Sequence, residues 1–121
     1  MEINILKTND ISIAEVTGES ILINETQDAL DIMANSRYQG AGSIILYEIN
    51  IIPEFFDLKT KIAGDILQKF SNYRMHLAIV GDFSKYKSKS MKDFILESNK
   101  TGRINFVMSR EEAIVALSKK N

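Results

Sequence analysis

Apolar and polar residues alternate at the start of the chain, which predicts short antiparallel strands there. Isoleucines alternate with polar residues over positions 3–5 and again over 11–16. The pair Asn9-Asp10 between these runs is a turn signal, so the two runs read as a hairpin. A short apolar stretch at 21–23 predicts an optional third strand.

Helical spacing then alternates with short apolar runs. Two β-branched runs, 43–47 and 76–80, are apolar at consecutive positions, which is typical of parallel strands buried on both faces. A third run, 103–108, alternates and predicts a more exposed strand. Four helices are expected, begun by Asn24 with Gln27 as a capping box, by Asp57, by Ser88 or Ser90, and by the capping box Ser109-Arg110-Glu111-Glu112.

The resulting order is β-β-(β)-α-β-α-β-α-β-α. It predicts one α/β domain over residues 1–121, with a mixed sheet, right-handed crossovers and helices covering the sheet.

The amino-acid composition excludes several kinds of reactive and metal-binding site. The 121 residues include no cysteine and one histidine, which excludes disulfides, thiolate nucleophiles and multi-histidine metal sites within one chain. We expect no metal and no cofactor. No apolar run reaches the roughly 18 residues of a membrane span, and the first residues lack the basic flank of a signal peptide. We expect a cytoplasmic protein without a membrane partner.

Charge is distributed unevenly along the chain. Residues 1–57 hold ten acids and two bases, whereas residues 58–121 hold six acids and thirteen bases, so the halves carry −8 and +7 within a net charge of −1. This asymmetry could mark an anion-facing surface or head-to-tail association, or the charges could interleave on folding. The overall balance argues against a nucleic-acid partner.

Several stretches resemble known families. Ala78-Ile79-Val80-Gly81-Asp82, Ile104-Asn105-Phe106 and Glu111-Glu112-Ala113 with Leu117 are similar to the second half of STAS-like (SpoIIAA-like) small bacterial proteins. The stretches 27–31, 55–60 and 81–86 resemble more closely a bacterial family described only as domain of unknown function 4180. The resemblance covers nearly the whole chain and implies a STAS-like fold. It implies no activity, because a fold does not fix function.

The chain departs from the STAS pattern at the position where related proteins are phosphorylated. Anti-sigma-factor antagonists carry Asp-Ser-Ser-Gly at the start of the helix after the central strand, where one serine is phosphorylated. The corresponding place here reads Asp57-Leu58-Lys59-Thr60. The resemblance therefore implies no phosphorylation switch at this position.

Polar side chains follow the buried strands where those strands end. Ligands tend to bind at the carboxyl edge of parallel strands, where helices begin with free N–H groups. The expected site is therefore built from Glu48, Asp57, Thr60, Asp82, Ser84, Tyr86 and Ser109. Alternatively, Asp57 and Ser109 are only helix caps, worth about 0.5–2 kcal/mol each.

Three lysines alternate with hydroxyl side chains in the segment 84–90. Lys85, Lys87 and Lys89 lie between Ser84, Tyr86, Ser88 and Ser90. This segment could hold a phosphate or an acidic partner, or it is a solvated basic loop. The chain lacks the glycine-rich cradle of a nucleotide P-loop.

Two further groups suit other chemistry. The carboxylates Glu48, Glu54, Asp57 and Asp82 could act in acid–base catalysis or hold a hard cation, but no nucleophile has a base at a recognisable spacing. The apolar loop 49–56, with Phe55 and Phe56, either folds back as a lid over the core or forms a pocket or subunit contact.

These observations predict a non-enzymatic module that binds a protein partner or a small ligand through residues 52–60 together with 82–90. A homodimer through the apolar loop or the sheet edge is compatible with the pattern. A partner-binding module should expose a patch around Phe55 and Phe56. The alternative is a closed pocket beneath these rings for an apolar or anionic ligand, and a weaker alternative is an enzyme that uses Glu48, Asp57 or Asp82.

Overall fold

Five strands form one mixed sheet in the computed structural model, which describes residues 1–119. They are β1 (Glu2–Thr8), β2 (Ile11–Thr17), β3 (Ser43–Tyr47), β4 (His76–Val80) and β5 (Ile104–Val107). The strands lie side by side in chain order. β1 pairs antiparallel with β2, and every other pair is parallel. The hairpin and the parallel strands predicted from the apolar pattern are therefore confirmed.

Four helices of the described residues cover the sheet unequally. They are α1 (Thr26–Tyr38), α2 (Ile62–Asn72), α3 (Lys89–Thr101) and α4 (Arg110–Ser118). From β2 to β5, each strand is added on the same side of the one before it. When the connections between such parallel strands are right-handed, the helices within them all lie on the same face of the sheet. Accordingly α1, α2 and α3 pack on one face with the larger core, and α4 packs alone on the other.

Alternate residues of each strand divide between the two cores. Ile44 and Leu46 of β3 face the three-helix side, whereas Ile45 packs against Ala113 and Leu117 of α4. All five side chains are almost completely buried. Because both faces of the central strands are covered, their sequence is apolar at consecutive positions rather than alternating.

Two strand predictions are corrected. The optional third strand at 21–23 is wrong, since Ile23 makes only an isolated bridge with Ile51. The strand at 103–108 is less exposed than predicted. Ile104, Asn105 and Phe106 are buried although β5 is an edge strand, because α3 packs on one of its faces and α4 on the other.

Two helix starts also differ from the prediction. α1 begins after Glu25, whose N–H donates to Asp28, rather than after Asn24 with Gln27. Asp57 caps only the short 3-10 turn Leu58–Thr60, and Lys61 in the left-handed region separates that turn from α2. Of the two candidates Ser88 and Ser90, Ser88 caps α3, and Ser109 caps α4 as predicted, since their hydroxyl oxygens accept from the N–H groups of Met91 and Glu112, both at 3.1 Å. The predicted capping box of α4 is incomplete, because the Glu112 carboxylate accepts from the N–H of Met108 rather than from that of Ser109.

Candidate functional site

Three chain segments meet at the carboxyl edge of the sheet, as the sequence predicts. β3 continues into the 3-10 turns Glu48–Asn50 and Pro53–Phe56. β4 continues into Gly81 and the 3-10 turn Phe83–Lys85. β5 continues into Met108 and the start of α4. Parallel strands end together, so these turns become neighbours without any direct sequence relationship.

Glu48 is the centre of a polar cluster at this edge. Its side chain is 10% exposed, and its Oε2 accepts a hydrogen bond from the Tyr86 hydroxyl at 2.5 Å. The same oxygen pairs with the Lys85 ammonium at 2.7 Å. Both bonds are charge-assisted, so the carboxylate is compensated despite its burial. Three residues predicted for the site are thus brought together.

Gly81 allows Glu48 to lie this close to the end of β4. A Cβ atom at position 81 would fall 2.5 Å from Oε1 of Glu48 and 2.7 Å from its Cβ. No side chain fits at such distances. Glycine is required here for close approach rather than for a special backbone angle.

The protonation of Tyr86 is fixed by this environment. Burial, followed by the hydrogen bond to Glu48 and the charge of that carboxylate, raises the pKa of Tyr86 well above its usual value of 10.0. The phenol is therefore a permanent hydrogen-bond donor at physiological pH and does not act as a base.

An aromatic layer lies under the cluster. The Phe56 ring stacks on Tyr86, with centroids 5.0 Å apart and planes 14° apart, and it also contacts Phe55 and Phe83. Phe55 is 1% exposed and Phe56 is 6% exposed. These rings belong to the core, as expected if the loop folds back as a lid. The exposed patch expected around them in a partner-binding module is not found.

A second cluster, which the sequence did not suggest, lies on the α4 side of the sheet. Glu15 of β2 is 8% exposed. Its Oε2 accepts from the Tyr47 hydroxyl at 2.5 Å and from Nε of Arg110 at 2.9 Å. Tyr47 and Glu48 are consecutive but serve clusters on opposite faces of the sheet. In both clusters an acidic residue from the negatively charged segment 1–57 pairs with a basic residue from the positively charged segment 58–121. The opposite charges of the two segments therefore interleave at these two places.

The pKa shifts in this second cluster have clear causes. Burial opposes ionisation of Glu15, but the hydrogen bonds from Arg110 and Tyr47 and the charge of Arg110 outweigh it, so the pKa of Glu15 falls below its usual value. Burial, then the hydrogen bond to Glu15 and its charge, raise the pKa of Tyr47 to about 12. The cluster is therefore a carboxylate held between a guanidinium and a neutral phenol.

Several other predicted site residues form hydrogen bonds within their own turns. Asp57 accepts from the N–H of Lys59 at 3.1 Å, and Asp82 accepts from the N–H of Ser84 at 3.1 Å and from its hydroxyl at 2.7 Å. These hydrogen bonds from Ser84, more than the neighbouring lysines, lower the pKa of Asp82. Neither aspartate joins Glu48, so the three carboxylates do not form one catalytic group.

Thr60 and the lysine segment complete the predicted set. The Thr60 hydroxyl donates toward the carbonyl oxygens of Glu54 and Asp57, each at 2.8 Å. Ser88 caps α3. Lys87 is exposed and forms no ion pair within residues 1–119.

Two apolar side chains at this edge are exposed. Ile49, next to Glu48, is 78% exposed, and Met108, which follows β5, is 73% exposed. They lie at the ends of β3 and β5, on either side of the Gly81 turn. Ile49 belongs to the apolar loop 49–56 that the sequence singled out, whereas Met108 was not among the predicted site residues, because an apolar side chain just after a strand gives no indication of its exposure.

Neither a metal-binding cluster nor a membrane-spanning helix is present among the described residues. Among residues 1–119, no three histidine, aspartate or glutamate side chains are grouped so that they could hold a metal ion. In the same range, every helix is too short or too polar to cross a bilayer.

Comparison with known proteins gives one match. The family described as "Domain of unknown function (DUF4180)" matches residues 8–117. No curated protein and no solved structure matches the chain. The match includes the stretches at 27–31, 55–60 and 81–86, so the family expected from those residues is confirmed. Since it spans nearly the full length, the chain belongs to the family DUF4180.

Proposed function

We propose that this protein is a non-enzymatic binding module that docks a protein partner at the carboxyl edge of its sheet. One observation carries the proposal. Glu48, Lys85 and Tyr86 of that edge are paired with each other, and Asp57 and Asp82 cap turns, whereas two large apolar side chains, Ile49 and Met108, are left exposed beside them.

The pairing argues against catalysis. A general acid or base needs a proton to exchange and access to a substrate. Glu48 is held by two donors on one oxygen, and Tyr86 keeps its proton because its pKa is raised. Asp57 and Asp82 are tied to the N–H groups of their own turns. This arrangement supports a rigid surface rather than a reaction centre.

The exposed side chains favour a protein partner. Neighbouring strands lie about 4.8 Å apart, so residues that follow β3 and β5 are on the order of 10 Å apart, a spacing suited to two anchors of one interface. Lys85 and Lys87 follow the end of β4, and Arg110 begins α4 two residues after Met108, so polar groups belong to the same edge. An apolar centre with a polar rim is typical of protein interfaces, and methionine adapts readily to a partner surface.

The proposal includes the STAS-like fold and the cytoplasmic location expected from the sequence. A hairpin followed by alternating helices and parallel strands, with Gly81-Asp82 directly after β4, supports the STAS-like assignment. A second copy of the chain is a further candidate partner, because within residues 1–119 β1 pairs only with β2 and leaves its outer edge open.

Site-specific photo-crosslinking in cells tests the proposal. A benzophenone amino acid is placed at Ile49, at Met108, or at Val115, which is 55% exposed on α4 and serves as the control. The proposal predicts the same discrete adduct from positions 49 and 108 and its absence from 115. It is overturned if positions 49 and 108 give no adduct, or if all three give the same products.

The adduct is then identified by mass spectrometry and its protein purified. Each anchor buries an apolar side chain worth about 1.5–3 kcal/mol, so the double variant Ile49→Ser/Met108→Ser should weaken binding at least about a hundredfold by calorimetry. Val115→Ser should leave binding unchanged. Native mass spectrometry of the purified chain separates the other candidates, since a dimer mass indicates a second copy and a small added mass indicates a ligand.

A further inference from the structure

A groove of about 720 Å³ lies between α1 and the C-terminal end of α2. It reaches Met75, just before β4 begins, whereas the Glu48 cluster follows the opposite ends of the strands. Leu30, Met33 and Met75 form its apolar lining, and Arg37, Tyr73 and Arg74 line it beside them. This size is typical of small-molecule sites.

The groove carries excess positive charge. Within residues 1–119, neither Arg37 nor Arg74 forms an ion pair with a carboxylate. The carboxylate that lines the groove, Asp31, accepts a hydrogen bond from Gln27 at 2.9 Å. Arg37 donates one hydrogen bond, from Nη2 to the carbonyl oxygen of Tyr73 at 2.7 Å. Since a guanidinium has five N–H donors, most of its capacity is free for a ligand.

Arg74 occupies a position where a side chain is disfavoured. Its φ of 56° is in the left-handed region, and it ends α2 in the motif in which the N–H of Met75 donates to the carbonyl of Phe70 at 2.9 Å. The ends of α1 and α3 place Gly40 and Gly102 in that region, with φ of 95° and 80°. An arginine here is less favourable for folding than glycine, which suggests that its side chain has another use.

The end of α2 does not repel an anion as an open helix end would. Helix C-termini disfavour negative charge because of their unpaired carbonyl oxygens. Here the carbonyls of Phe70 and Tyr73 accept from Met75 and Arg37. We propose that the groove binds a small amphipathic anion, with an apolar group against Leu30 and Met33 and a carboxylate or phosphate at Arg37 and Arg74.

Titration of the ¹⁵N-labelled protein, followed by NMR, tests the chemistry of the ligand. The probes are decanoate, decyl phosphate, decanol and inorganic phosphate. We expect the two amphipathic anions to shift the amide signals of residues 30–37 and 72–75, with affinities well above those of decanol and phosphate. The comparison of decanoate with decyl phosphate shows which head group is preferred. The proposal is overturned if decanol binds as well as decanoate, or if the shifts lie elsewhere.

Two glycine substitutions separate ligand binding from backbone strain. Arg74→Gly and the control Lys61→Gly both relieve the backbone strain of a side chain in the left-handed region, since φ of Lys61 is 66°. Lys61, unlike Arg74, does not line the groove. Both variants should raise the melting temperature. Only Arg74→Gly should weaken decanoate binding, by about tenfold, because it removes a charged donor. Unchanged binding in Arg74→Gly, or equal weakening in both variants, would overturn the proposal.

Discussion

Replacing Gly81 with alanine should strongly destabilise the protein, because Glu48 occupies the space that the new Cβ needs. That Cβ would lie 2.5 Å from Oε1 and 2.7 Å from Cβ of Glu48. Rotation of the Glu48 side chain can move Oε1 but not its Cβ, which is fixed to the backbone. The carbonyl of Glu48 also accepts from the N–H of Ile51 at 3.0 Å. One of the two turns must therefore shift.

The magnitude follows from two effects. Overpacking a close contact costs about 1–3 kcal/mol. Displacing Glu48 also weakens its hydrogen bonds with Tyr86 and Lys85, and leaving a buried polar group unpaired costs about 1–3 kcal/mol more. Together they lower the free energy of unfolding by about 2–6 kcal/mol. This is a large part of the roughly 5–15 kcal/mol that stabilises an ordinary domain.

Urea unfolding followed by circular dichroism measures the effect. Gly81→Ala should lower the midpoint with little change in the slope m. Gly64→Ala is the matched control, because nothing lies within 4 Å of a Cβ at this exposed position of α2. It should stabilise the helix by about 0.5–1 kcal/mol.

A double-mutant cycle tests the cause. Tyr86→Phe should cost more in the wild type than in Gly81→Ala, because the substitution at position 81 has already disturbed the bond from Tyr86 to Glu48. The reasoning is refuted if Gly81→Ala unfolds within about 0.5 kcal/mol of the wild type, or if Tyr86→Phe costs the same in both backgrounds.

Four further outcomes are expected. Ser36→Ala should raise the melting temperature, since the Ser36 hydroxyl is buried without a hydrogen-bond partner among residues 1–119, and a lower temperature would contradict this. Phe56→Ala should lower the free energy of unfolding by about 3–5 kcal/mol in urea, whereas a loss below about 1 kcal/mol would mean that the ring is not core. Because folding lowers the pKa of Glu15, its carboxylate stabilises the fold at pH values above its usual pKa of 4.5, and this stability is lost as the pH falls through the pKa of the folded state. The free energy of unfolding between about pH 5 and pH 2 should therefore depend less on pH in Glu15→Gln than in the wild type. The pKa of Tyr47, raised from 10.0 to about 12, should lower stability as pH rises between these values, and Tyr47→Phe should flatten that slope.

Much of the fold was predictable because its signals are local. The consecutive apolar residues of 43–47 and 76–80 indicate strands covered on both faces, and that is how they lie. Ser88 and Ser109 were recognised as caps because a cap acts within three residues of itself. The cap of α1 was wrong because Asn24, Glu25 and their acceptor Asp28 all compete within one turn.

The candidate site was only partly predictable, since its contacts join distant residues. Topology placed Glu48 and Tyr86 at one edge, although 38 positions separate them. Glu15 and Arg110 are 95 positions apart and lie on elements whose register no local pattern specifies. The groove likewise depends on how the end of α2 meets α1. The exposure of Ile49 and the burial of Phe56 depend on how a loop folds back, which its composition leaves open.

The order of the strands has a consequence for biosynthesis. Because each strand pairs with its neighbour in the chain, the sheet can grow from β1 to β5 as the chain leaves the ribosome, and no strand has to insert between two that have already paired. α4 follows all five strands in the chain, and among the helices of residues 1–119 it alone covers Ile13, Ile45 and Ala78. Until it docks, a nearly complete sheet presents a bare apolar face. The nascent protein is therefore prone to aggregation between the synthesis of β5 and the docking of α4, a stage at which chaperones would protect it.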